Sequence, residues 1–471
     1  MSDFETVIGL EVHTQLNTKS KIFCSCSTSF ENRPNVNICP VCCGYPGTLP
    51  VFNKKVLDLA VRVCLALSCK INKTIYFERK NYFYPDLPKN YQISQYKMPL
   101  GEGGFLELSS KKIRINRIHM EEDAGKLVHK DDYSLVDFNR TGTPLLEIVS
   151  EPEINSPQEA FDYLNALKLI LQYINVSDCD MEKGSLRCDA NISLRKKGNT
   201  QLGTKVELKN MNTFKGARTA LEFEIKRQTN VLNRGERIIQ ETRLWDTDKA
   251  KTTAMRTKEQ AQDYRYFPEP DLLDFSVTKE VIEKEKNFIG ELPLEKKKRF
   301  LKIYKISIKE VDIFINSPFL ADFFEEVLKH YPKDQEVSNW FLGPFLEQVN
   351  TLGGKFDQIK ISAHNFAKII KYFCEGKINN LAAKKILSLS ITTDDDIDAI
   401  IEKEKLIQIS DRGELEAFIE EVVGLNPKPV QEYLEGKDKA IMFLVGQVMK
   451  KTKGKANPKI TREMIERRVK K

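Results

Sequence analysis

The segment from Ile118 to Glu151 carries more acidic side chains than a folded chain can bury without partners for their charge. Its two motifs, on either side of a polar interval, hold one imidazole and six carboxylates beside two glycines: His119, Glu121, Glu122, Asp123, Asp137, Glu147 and Glu151. A carboxylate is tolerated in a protein interior only where a cation or hydrogen-bond donors neutralise it. The segment therefore predicts a site for a metal ion or a phosphate group, and the alternative is a solvated acidic loop.

Within this segment, Leu145 to Ser150 has the period-two pattern of a strand. Such a strand turns one set of side chains to each face: Glu147, Val149 and Glu151 to one, and Leu146, Ile148 and Ser150 to the other. We therefore expect the carboxylates of Glu147 and Glu151 to point in the same direction.

A second strand is predicted from Thr6 to Leu16, near the N-terminus. Glu11 and His13 lie two residues apart, so they project from the same face of it. A carboxylate and an imidazole on one face supply half of a site for a divalent metal. Either residue alone is more often structural, but the acid-rich segment strengthens the metal interpretation.

Four of the ten cysteines have the spacing C-x-C-x12-C-x2-C, at Cys24, Cys26, Cys39 and Cys42. Thiolates at this spacing can surround a zinc ion tetrahedrally, and a structural zinc orders loops of this kind. Four protein ligands leave no open position for water, so the predicted zinc is structural; the alternative is four reduced, unliganded cysteines. The other cysteines considered are predicted to be small core residues: Cys64, Cys69, Cys179, Cys188 and Cys374.

The length of 471 residues exceeds what one core organises and predicts two to four domains. With 41% apolar and 30% charged residues, the composition is that of a globular protein. The chain lacks an apolar run of about 18 residues, and its first residues lack a basic and apolar signal pattern. We expect a cytoplasmic protein without membrane contact.

Positive charge is concentrated at the C-terminal end. Lys437 to Lys471 contains twelve Lys or Arg and three Asp or Glu, a net charge of +9, so the rest carries −2 of the total +7. A basic segment on a nearly neutral body indicates a polyanionic partner. The alternative is a solubilising tail.

Two more segments alternate between polar and apolar residues, Ser185 to Leu194 and Lys205 to Lys209. Their polar positions share one face of each strand: Arg187, Asp189, Asn191 and Ser193 on the first, and Lys205, Glu207 and Lys209 on the second. This face either meets solvent or forms the floor of a cavity that handles phosphate and metal. The pattern alone leaves both interpretations open.

Helices are predicted over Lys54 to Leu67 and after Ser156, where a capping box and a proline open a helix of about 19 residues. From about Glu291 the composition is helical, with Trp340 and Phe341 as expected core residues.

A small module of short helices begins near Leu406, with Ser410 and Asp411 as a helix cap and a last helix opening at Thr461. Two segments read as loops without regular structure: Lys80 to Gln95 and Asp263 to Asp271.

Six long runs of residues occur in order along the chain. They are V-I-G-L-E-V-H from Val7, K-N-Y-F-Y-P-D-L-P-K-N-Y-Q-I-S-Q from Lys80, H-M-E-E-D-A-G-K from His119, V-D-F-N-R-T-G-T-P-L-L-E-I-V-S-E-P from Val136, M-E-K-G-S-L-R-C-D-A-N-I-S from Met181 and D-Y-R-Y-F-P-E-P-D from Asp263. With the ending F-L-V-G-Q-V-M-K-x-x-K-G-x-A-N-P, these runs closely resemble the B subunits of aspartyl/glutamyl-tRNA(Asn/Gln) amidotransferases.

The resemblance implies an α+β fold with three parts. Residues 1–290 would form an antiparallel-sheet cradle resembling glutamine synthetase catalytic domains, with the cysteine loop inside it. An all-α helical domain over residues 291–405 and a small, mobile, basic tail domain over residues 406–471 would follow. In this family the tail binds tRNA, which suits its charge.

The resemblance also implies an enzyme that uses ATP and Mg²⁺ to phosphorylate the side-chain carboxylate of mischarged Glu-tRNA(Gln) or Asp-tRNA(Asn). Ammonia then displaces the phosphate and leaves the amide. Because the chain has no amidase-type nucleophile, ammonia would come through a tunnel from a glutaminase (amidase) subunit. The implied complex is a heterotrimer with that amidase and a further small subunit, and a non-discriminating aminoacyl-tRNA synthetase can join it.

Carried over by motif, the Mg²⁺ ligands would be Glu11, His13, Glu122 and Glu147, with Glu121 and Glu151 as second choices. The nucleotide and acyl site would be lined by Arg187, Asp189, Asn191, Glu207 and Lys209, with Lys89 as a further catalytic residue. The tRNA would be contacted by Tyr82, Tyr84, Lys450, Lys451 and Lys453. The zinc at Cys24, Cys26, Cys39 and Cys42 would be structural.

Two other functions compete with this one. A zinc-containing tRNA-binding protein without chemistry gains nothing from clustered acids that face a polyanion. A freestanding glutamine-dependent ligase needs a glutaminase nucleophile, for which Cys24 or Cys43 would have to serve, and the zinc-like spacing already uses the first.

Overall fold

The computed structural model describes residues 3–30, 33–255, 264–407, 412–452 and 454–470. The chain divides into two compact units, Met1–Lys296 and Lys297–Lys471. The first is built on a large sheet, and the second is helical. The predicted α+β class, with a mostly antiparallel sheet and a helical C-terminal region, is confirmed.

The strands of the first unit are, in chain order, β1 (Phe4–Gln15), β2 (Lys70–Ile71), β3 (Thr74–Ile75), β4 (Glu78–Asn81), β5 (Tyr91–Ser94), β6 (Gly101–Glu107), β7 (Lys112–Glu122), β8 (Lys126–His129), β9 (Ser134–Asp137), β10 (Pro144–Ser150), β11 (Leu186–Lys196), β12 (Val206–Lys209), β13 (Thr242–Asp246), β14 (Lys251–Ala254), β15 (Arg265–Pro268) and β16 (Phe275–Ser276). Its helices are α1 (Lys54–Ala66), α2 (Pro157–Tyr173), α3 (Phe214–Asn233) and α4 (Lys279–Lys286). The predicted strands at the N-terminus, after Pro144, after Ser185 and before Asn210 are all present.

Nine strands form the main sheet in the order β14-β13-β12-β11-β1-β10-β7-β6-β2. All neighbouring pairs are antiparallel except β12 and β13, which run parallel. The long β1 lies near the centre, where His13 pairs with Arg187 on one side and Glu147 on the other. Glu147 pairs in turn with His119 on β7. Four strands from distant parts of the chain thus place their ionisable residues in one row.

The two faces of this sheet differ in polarity because side chains alternate along each strand. On one face, Leu10, Val12, Ile118, Ile148 and Ala190 are buried and join a continuous apolar cluster with α1, α2 and α3. Burying this face against helices stabilises the unit by the hydrophobic effect. The opposite face carries the acidic, basic and imidazole side chains.

Helix α2 begins where the sequence predicts. The Ser156 hydroxyl accepts a hydrogen bond from the Glu159 backbone N–H at 3.1 Å, and Pro157 is the first helical residue. The Glu159 carboxylate reaches the Asn155 N–H at 2.8 Å, so the reciprocal contact lies one residue earlier than in a standard capping box.

Both segments predicted to be loops contain strands, which corrects the prediction. β4, β5 and β15 pair into a three-stranded sheet, with Tyr266 opposite Lys80 and Lys80 opposite Gln92. Aromatic residues favour strands. β4 and β5 pair as near neighbours in the chain, whereas the pairing of β4 with the distant β15 leaves no local signal. Asp263, the first residue of the second segment, lies outside the described residues.

The helices of the second unit are α5 (Pro293–Ile303), α6 (Ile308–Ile315), α7 (Pro318–His330), α8 (Asp334–Trp340), α9 (Leu346–Thr351), α10 (Ala363–Cys374), α11 (Asn380–Ser390), α12 (Ile397–Glu404), α13 (Arg412–Leu425), α14 (Pro427–Leu434), α15 (Lys439–Lys451) and α16 (Pro458–Val469), with α5 starting just before the boundary. A π-helical turn (Phe341–Phe345) and a 3-10 turn (Phe356–Gln358) lie between them. Trp340 and Phe341 are buried, as predicted, whereas Cys374 is exposed and not a core residue.

Buried apolar residues of this unit form two clusters, one from Phe300 to Ile401 and one from Leu415 to Ile465. The domain boundaries at residues 290 and 405 stay predictions. The last helix begins three residues before the predicted Thr461, because the Asn457 side chain accepts from two N–H groups and Pro458 occupies the first position. The cap predicted at Ser410 and Asp411 lies outside the described residues. No helix in the described part of the chain is long and apolar enough to cross a membrane.

Candidate active site and metal centre

Three strands of the main sheet bring His13, Glu121 and Glu147 together on its polar face. The His13 Nε2 atom lies 3.5 Å from Glu147 Oε2 and 3.7 Å from Glu121 Oε1. One donor atom from each of the three residues lies within 4.8 Å of the others. Two carboxylates and an imidazole suit a divalent cation and leave positions for water or substrate oxygens.

A second imidazole, that of His119, adjoins this cluster. Its Nε2 lies 2.9 Å from Glu147 Oε2 and 3.7 Å from Glu121 Oε2. Burial disfavours the charged ring, but Glu147 and Glu121 outweigh it and raise the pKa of His119 to about 9. The His119 Nδ1 atom is buried, and no hydrogen-bond partner for it lies in the described part of the chain.

The acids and imidazoles balance one another's charge. Burial alone raises the pKa of Glu147, but His119 and His13 hold it well below the usual value. Burial likewise opposes the charge on His13, whose pKa is raised by its contact with Glu147. A divalent cation fits this donor set, since it supplies the positive charge that protonated imidazoles otherwise provide.

The structure places Glu122, one of the predicted ligands, apart from this cluster. Glu121 and Glu122 are adjacent on β7, so they point to opposite faces of the sheet. Glu121 faces His13 and Glu147, whereas Glu122 accepts a hydrogen bond from Lys89 Nζ and one of 2.9 Å from the Ile93 N–H. Glu121, the second choice in the prediction, therefore lies in the three-residue cluster, and Glu122 does not.

Two further predicted acids stand apart from the three-residue cluster. Glu11 shares the polar face, but its Oε1 accepts from Asn191 Nδ2 at 2.8 Å. Glu151 lies beyond the end of β10 and accepts from Asn116 Nδ2 at 2.8 Å. The register shifts between Val149 and Ser150, so Glu151 does not continue the alternation that begins at Glu147.

The predicted nucleotide and acyl residues lie on the same face, on β11 and β12. Lys209 Nζ is 3.1 Å from both Asp189 Oδ2 and Glu207 Oε1. Burial disfavours the charged amine, but these two carboxylates raise the pKa of Lys209. Arg187 Nη2 donates to Asp123 Oδ2 at 2.6 Å, and Asp123 is itself buried.

Several supporting residues received no individual role from the sequence, although His119 and Asp123 belong to the acidic segment that predicts a metal or phosphate site. His119 and Asp123 each lie two residues from Glu121, so they point to the same face of the sheet. This spacing could have identified them as neighbours of Glu121 from the sequence. Thr242 Oγ1 donates to Glu207 Oε2 at 2.7 Å, and Gln15 Nε2 donates to Asp123 Oδ2 at 2.9 Å. No local signal marks Thr242, because its contact depends on the parallel pairing of β12 with β13.

Lys89 lies away from the polar face, beside Glu122. Both line a cavity of about 100 Å³ whose walls include Cys24, Cys42 and Gly142. Tyr82, in contrast, lies close to the acids: burial and then the charge of Glu121 raise the pKa of its phenol.

Three further residues predicted to contact tRNA, Tyr84, Lys450 and Lys451, lie at the surface. Tyr84 is half exposed. Lys450 and Lys451 are exposed in the last turn of α15, where Lys451 pairs with Glu421. Lys453 lies outside the described residues.

The four cysteines with metal-ligand spacing do converge. One sulfur atom from each of Cys24, Cys26, Cys39 and Cys42 lies within 4.8 Å of the other three. A hydrogen bond from Cys24, together with the Cys39 N–H and the Lys21 ammonium, lowers the pKa of Cys42 to about 4. Four thiols this close together, one of them with a lowered pKa, could bind a metal such as zinc.

Comparisons with known proteins agree with this arrangement. Residues 6–283 match the family model of the GatB/GatE catalytic domain, and residues 322–469 match that of the GatB domain. The sheet and both clusters lie within the first match. By class, the chain is therefore a catalytic domain of this type joined to a helical GatB domain.

Curated relatives extend the match over nearly the whole chain. The B subunit of the aspartyl/glutamyl-tRNA(Asn/Gln) amidotransferase of Carboxydothermus hydrogenoformans is 48% identical, covering 99% of this chain and 98% of the relative. Its namesake in Thermoanaerobacter pseudethanolicus is 50% identical with 98% of both covered, and that in Clostridium beijerinckii is 50% identical with 99% of both covered. The chain belongs to this family of ligase-type amidotransferase subunits.

Proposed function

We propose that this chain activates the side-chain carboxylate of glutamate or aspartate misacylated onto tRNA(Gln) or tRNA(Asn) and converts it to the amide. In the first step, the carboxylate attacks the γ-phosphorus of ATP, which gives an acyl phosphate and ADP. In the second, ammonia displaces inorganic phosphate. Activation is required because a free carboxylate is a poor acylating agent. The names of the relatives support the substrate class.

The main support for the proposal is the distribution of charge over the polar face of the main sheet. Its acidic part contains His13, Glu121 and Glu147, and its mixed part contains Arg187 and Lys209. Kinase chemistry needs both parts, since phosphoryl transfer depends on positioning and on neutralising charge. A surface that only binds RNA would not bury acids.

Each residue has a distinct task in this proposal. His13, Glu121 and Glu147 would hold Mg²⁺, which when bound neutralises charge on the transferring phosphoryl group. Arg187 and Lys209 would bind phosphate oxygens or the substrate carboxylate.

Other side chains hold these groups in place. Asp123 orients Arg187 through its 2.6 Å hydrogen bond, and Asn191 holds Glu11 at 2.8 Å. Thr242 holds Glu207, which in turn contacts Lys209. Preorganised side chains of this kind do not have to be repositioned during the reaction.

Several finer features belong to the same proposal. Ammonia would come from an amidase subunit, and a further small subunit would complete the heterotrimer. The likeness to glutamine synthetase catalytic domains, a structural zinc at the cysteines and tRNA binding by residues beyond Leu406 are further parts of it. The relatives' designation as a subunit supports the existence of partners.

The test is transfer of the labelled γ-phosphate of ATP by the chain purified with its amidase partner. The mixture contains Glu-tRNA(Gln) and Mg²⁺ but neither glutamine nor ammonia. ATP consumption that requires the mischarged tRNA is the expected result, and correctly charged Gln-tRNA(Gln) is the control. If ATP stays intact in every combination, including with ammonia added, a role confined to tRNA binding becomes the better account.

A further inference from the structure

A lysine is fully buried beside the cysteine cluster. Lys21 has 0% of its surface exposed. Its ammonium donates to the Asn37 carbonyl at 2.7 Å and the Phe138 carbonyl at 3.4 Å, and it lies 3.6 Å from Cys42 Sγ. No carboxylate in the described part of the chain lies within ion-pair distance of it.

A buried ammonium requires a negative charge nearby, because removal of an ion from water costs several kcal/mol that hydrogen bonds alone offset poorly. The two carbonyls supply hydrogen bonds but no net charge. The sulfur of Cys42 is the neighbouring group that can carry that charge. An anionic cysteine cluster therefore supplies the counter-charge that a buried Lys21 ammonium needs.

We propose that Lys21 is the counter-charge of a metal centre formed by Cys24, Cys26, Cys39 and Cys42. Four thiolates bring twice the charge of one divalent metal, so the occupied centre stays anionic. The Lys21 ammonium lies against Cys42 Sγ and stabilises this surplus charge. Outer-shell contacts of this kind orient ligands and help to retain the metal.

Lys21 also joins the cysteine loop to a second loop. It bonds Asn37 on the cysteine side and Phe138 in the loop before β10, the strand that carries Glu147. The neighbouring residue, Ile22, donates its N–H to the Gly142 carbonyl at 2.9 Å.

Gly142 lines the same contact region, and its backbone conformation favours glycine. A Cβ atom there would lie 3.5 Å from Lys21 Cδ and 3.6 Å from Cys42 Cβ, and its φ of +79° favours glycine. The lysine is thus enclosed between the metal centre and the loop before β10. The inference depends on the zinc part of the proposed function but not on the phosphoryl chemistry, so either can fail alone.

The test measures zinc retention by the full chain purified with its amidase partner. Lys21→Met removes the charge, Lys21→Gln removes it but keeps hydrogen-bond donors, and Lys19→Met is an exposed control two residues away. Zinc release to 4-(2-pyridylazo)resorcinol should be about 10- to 100-fold faster in both Lys21 variants, the range for loss of an outer-shell partner. The control should release zinc at the wild-type rate. Wild-type retention in Lys21→Gln, or in both variants, overturns the proposal.

A second measurement separates this role from simple support of the fold. The same Lys21→Met change is made in a Cys42→Ser background, and the melting temperature is followed by circular dichroism. Without the thiolate, the buried charge has lost its partner, so its removal should no longer destabilise the protein. An equal loss of melting temperature in both backgrounds would mean that Lys21 only fills space, and the proposal would be wrong. This comparison also decides the matter if Lys21→Met cannot be loaded with zinc.

Discussion

His119 Nε2 lies 2.9 Å from Glu147 Oε2, and both residues are buried in adjacent strands of the main sheet. Because Glu147 also lies 3.5 Å from His13, its carboxylate is held between two imidazoles. Neither partner is close to Glu147 in sequence. The contact fixes the orientation of the carboxylate that we propose as a metal ligand.

The first prediction concerns the choice between two adjacent acids. Glu121→Gln should abolish amidation and lower the affinity for Mg²⁺ by at least about 100-fold, since loss of even an outer-shell partner costs about 10- to 100-fold. Glu122→Gln is the matched control, because its side chain contacts Lys89 on the other side of β7. The measurement is tRNA-dependent ATP consumption as a function of Mg²⁺ concentration.

His13→Ala should behave as Glu121→Gln does, with tRNA affinity nearly unchanged in both. If Glu122→Gln shifts the Mg²⁺ dependence and Glu121→Gln does not, the assignment from this geometry is wrong. Normal turnover in His13→Ala would contradict the metal site itself.

The second prediction concerns the hydroxyl that holds Glu207. Thr242→Val removes the 2.7 Å hydrogen bond to Glu207 Oε2 while keeping the shape of the side chain. A hydrogen bond to a charged group contributes about 1.5–3 kcal/mol, so we expect kcat to fall roughly 10- to 100-fold. Thr242→Ser keeps the hydroxyl and should recover most of the activity. A rise in KM with unchanged kcat, or no rescue by serine, would exclude this positioning role.

The third prediction concerns the basic C-terminal residues. Truncation after Leu406 should raise the KM for tRNA far more than it lowers kcat, because the polar sheet face lies in the other unit. The dependence of tRNA affinity on salt should also become shallower, since fewer phosphates are contacted. Both are measured with charged tRNA at several salt concentrations, with a small-molecule ammonia donor to bypass the amidase. Unchanged tRNA affinity would contradict the role of this segment.

The fourth prediction concerns pH and the start of α6. Ser307 and Glu310 form a reciprocal capping box, and Ser338 and Gln335 also donate to the Glu310 carboxylate. Burial would raise the pKa of Glu310, but these hydrogen bonds lower it to about 2 from a usual 4.5. Because the folded-state pKa is lowered, the stabilisation is present above pH 4.5 and is lost as the pH falls towards about 2.

Glu310→Gln should therefore lower the free energy of unfolding of the helical unit by about 1 kcal/mol at pH 7, a typical value for a helix cap. The difference in the free energy of unfolding between Glu310→Gln and the wild type should shrink below pH 4.5. Urea unfolding is followed by the fluorescence of Trp340, in a Trp245→Phe background. The matched control is Glu402→Gln at an exposed position of α12. If Glu310→Gln lowers the free energy of unfolding equally at all pH values, the prediction is wrong.

Much of the local structure could be read from the sequence. The Ser156 cap and its proline locate the start of α2, because helix caps involve residues within one turn of each other. Period-two alternation correctly placed Arg187, Asp189 and Asn191 on one face of β11. The spacing of the cysteines likewise predicted their convergence, since both pairs lie in short loops.

Other features could not be read, because they depend on distant pairing. The loops predicted around Tyr82 and Tyr266 contain strands, and β15 in the second loop pairs with β4, which lies far away in the chain. Thr242 contacts Glu207 only because β12 and β13 run parallel.

The sequence by itself determined which residues share a face within β1 and β11, how α2 begins and which four cysteines converge. Only the tertiary structure decided the strand order β11-β1-β10-β7, which sets Arg187, His13, Glu147 and His119 side by side. It also decided that Glu121 and not Glu122 joins them. The physical reason is that alternation fixes the period of a strand, whereas its phase relative to the rest of the sheet is set by pairing with strands far away in the chain.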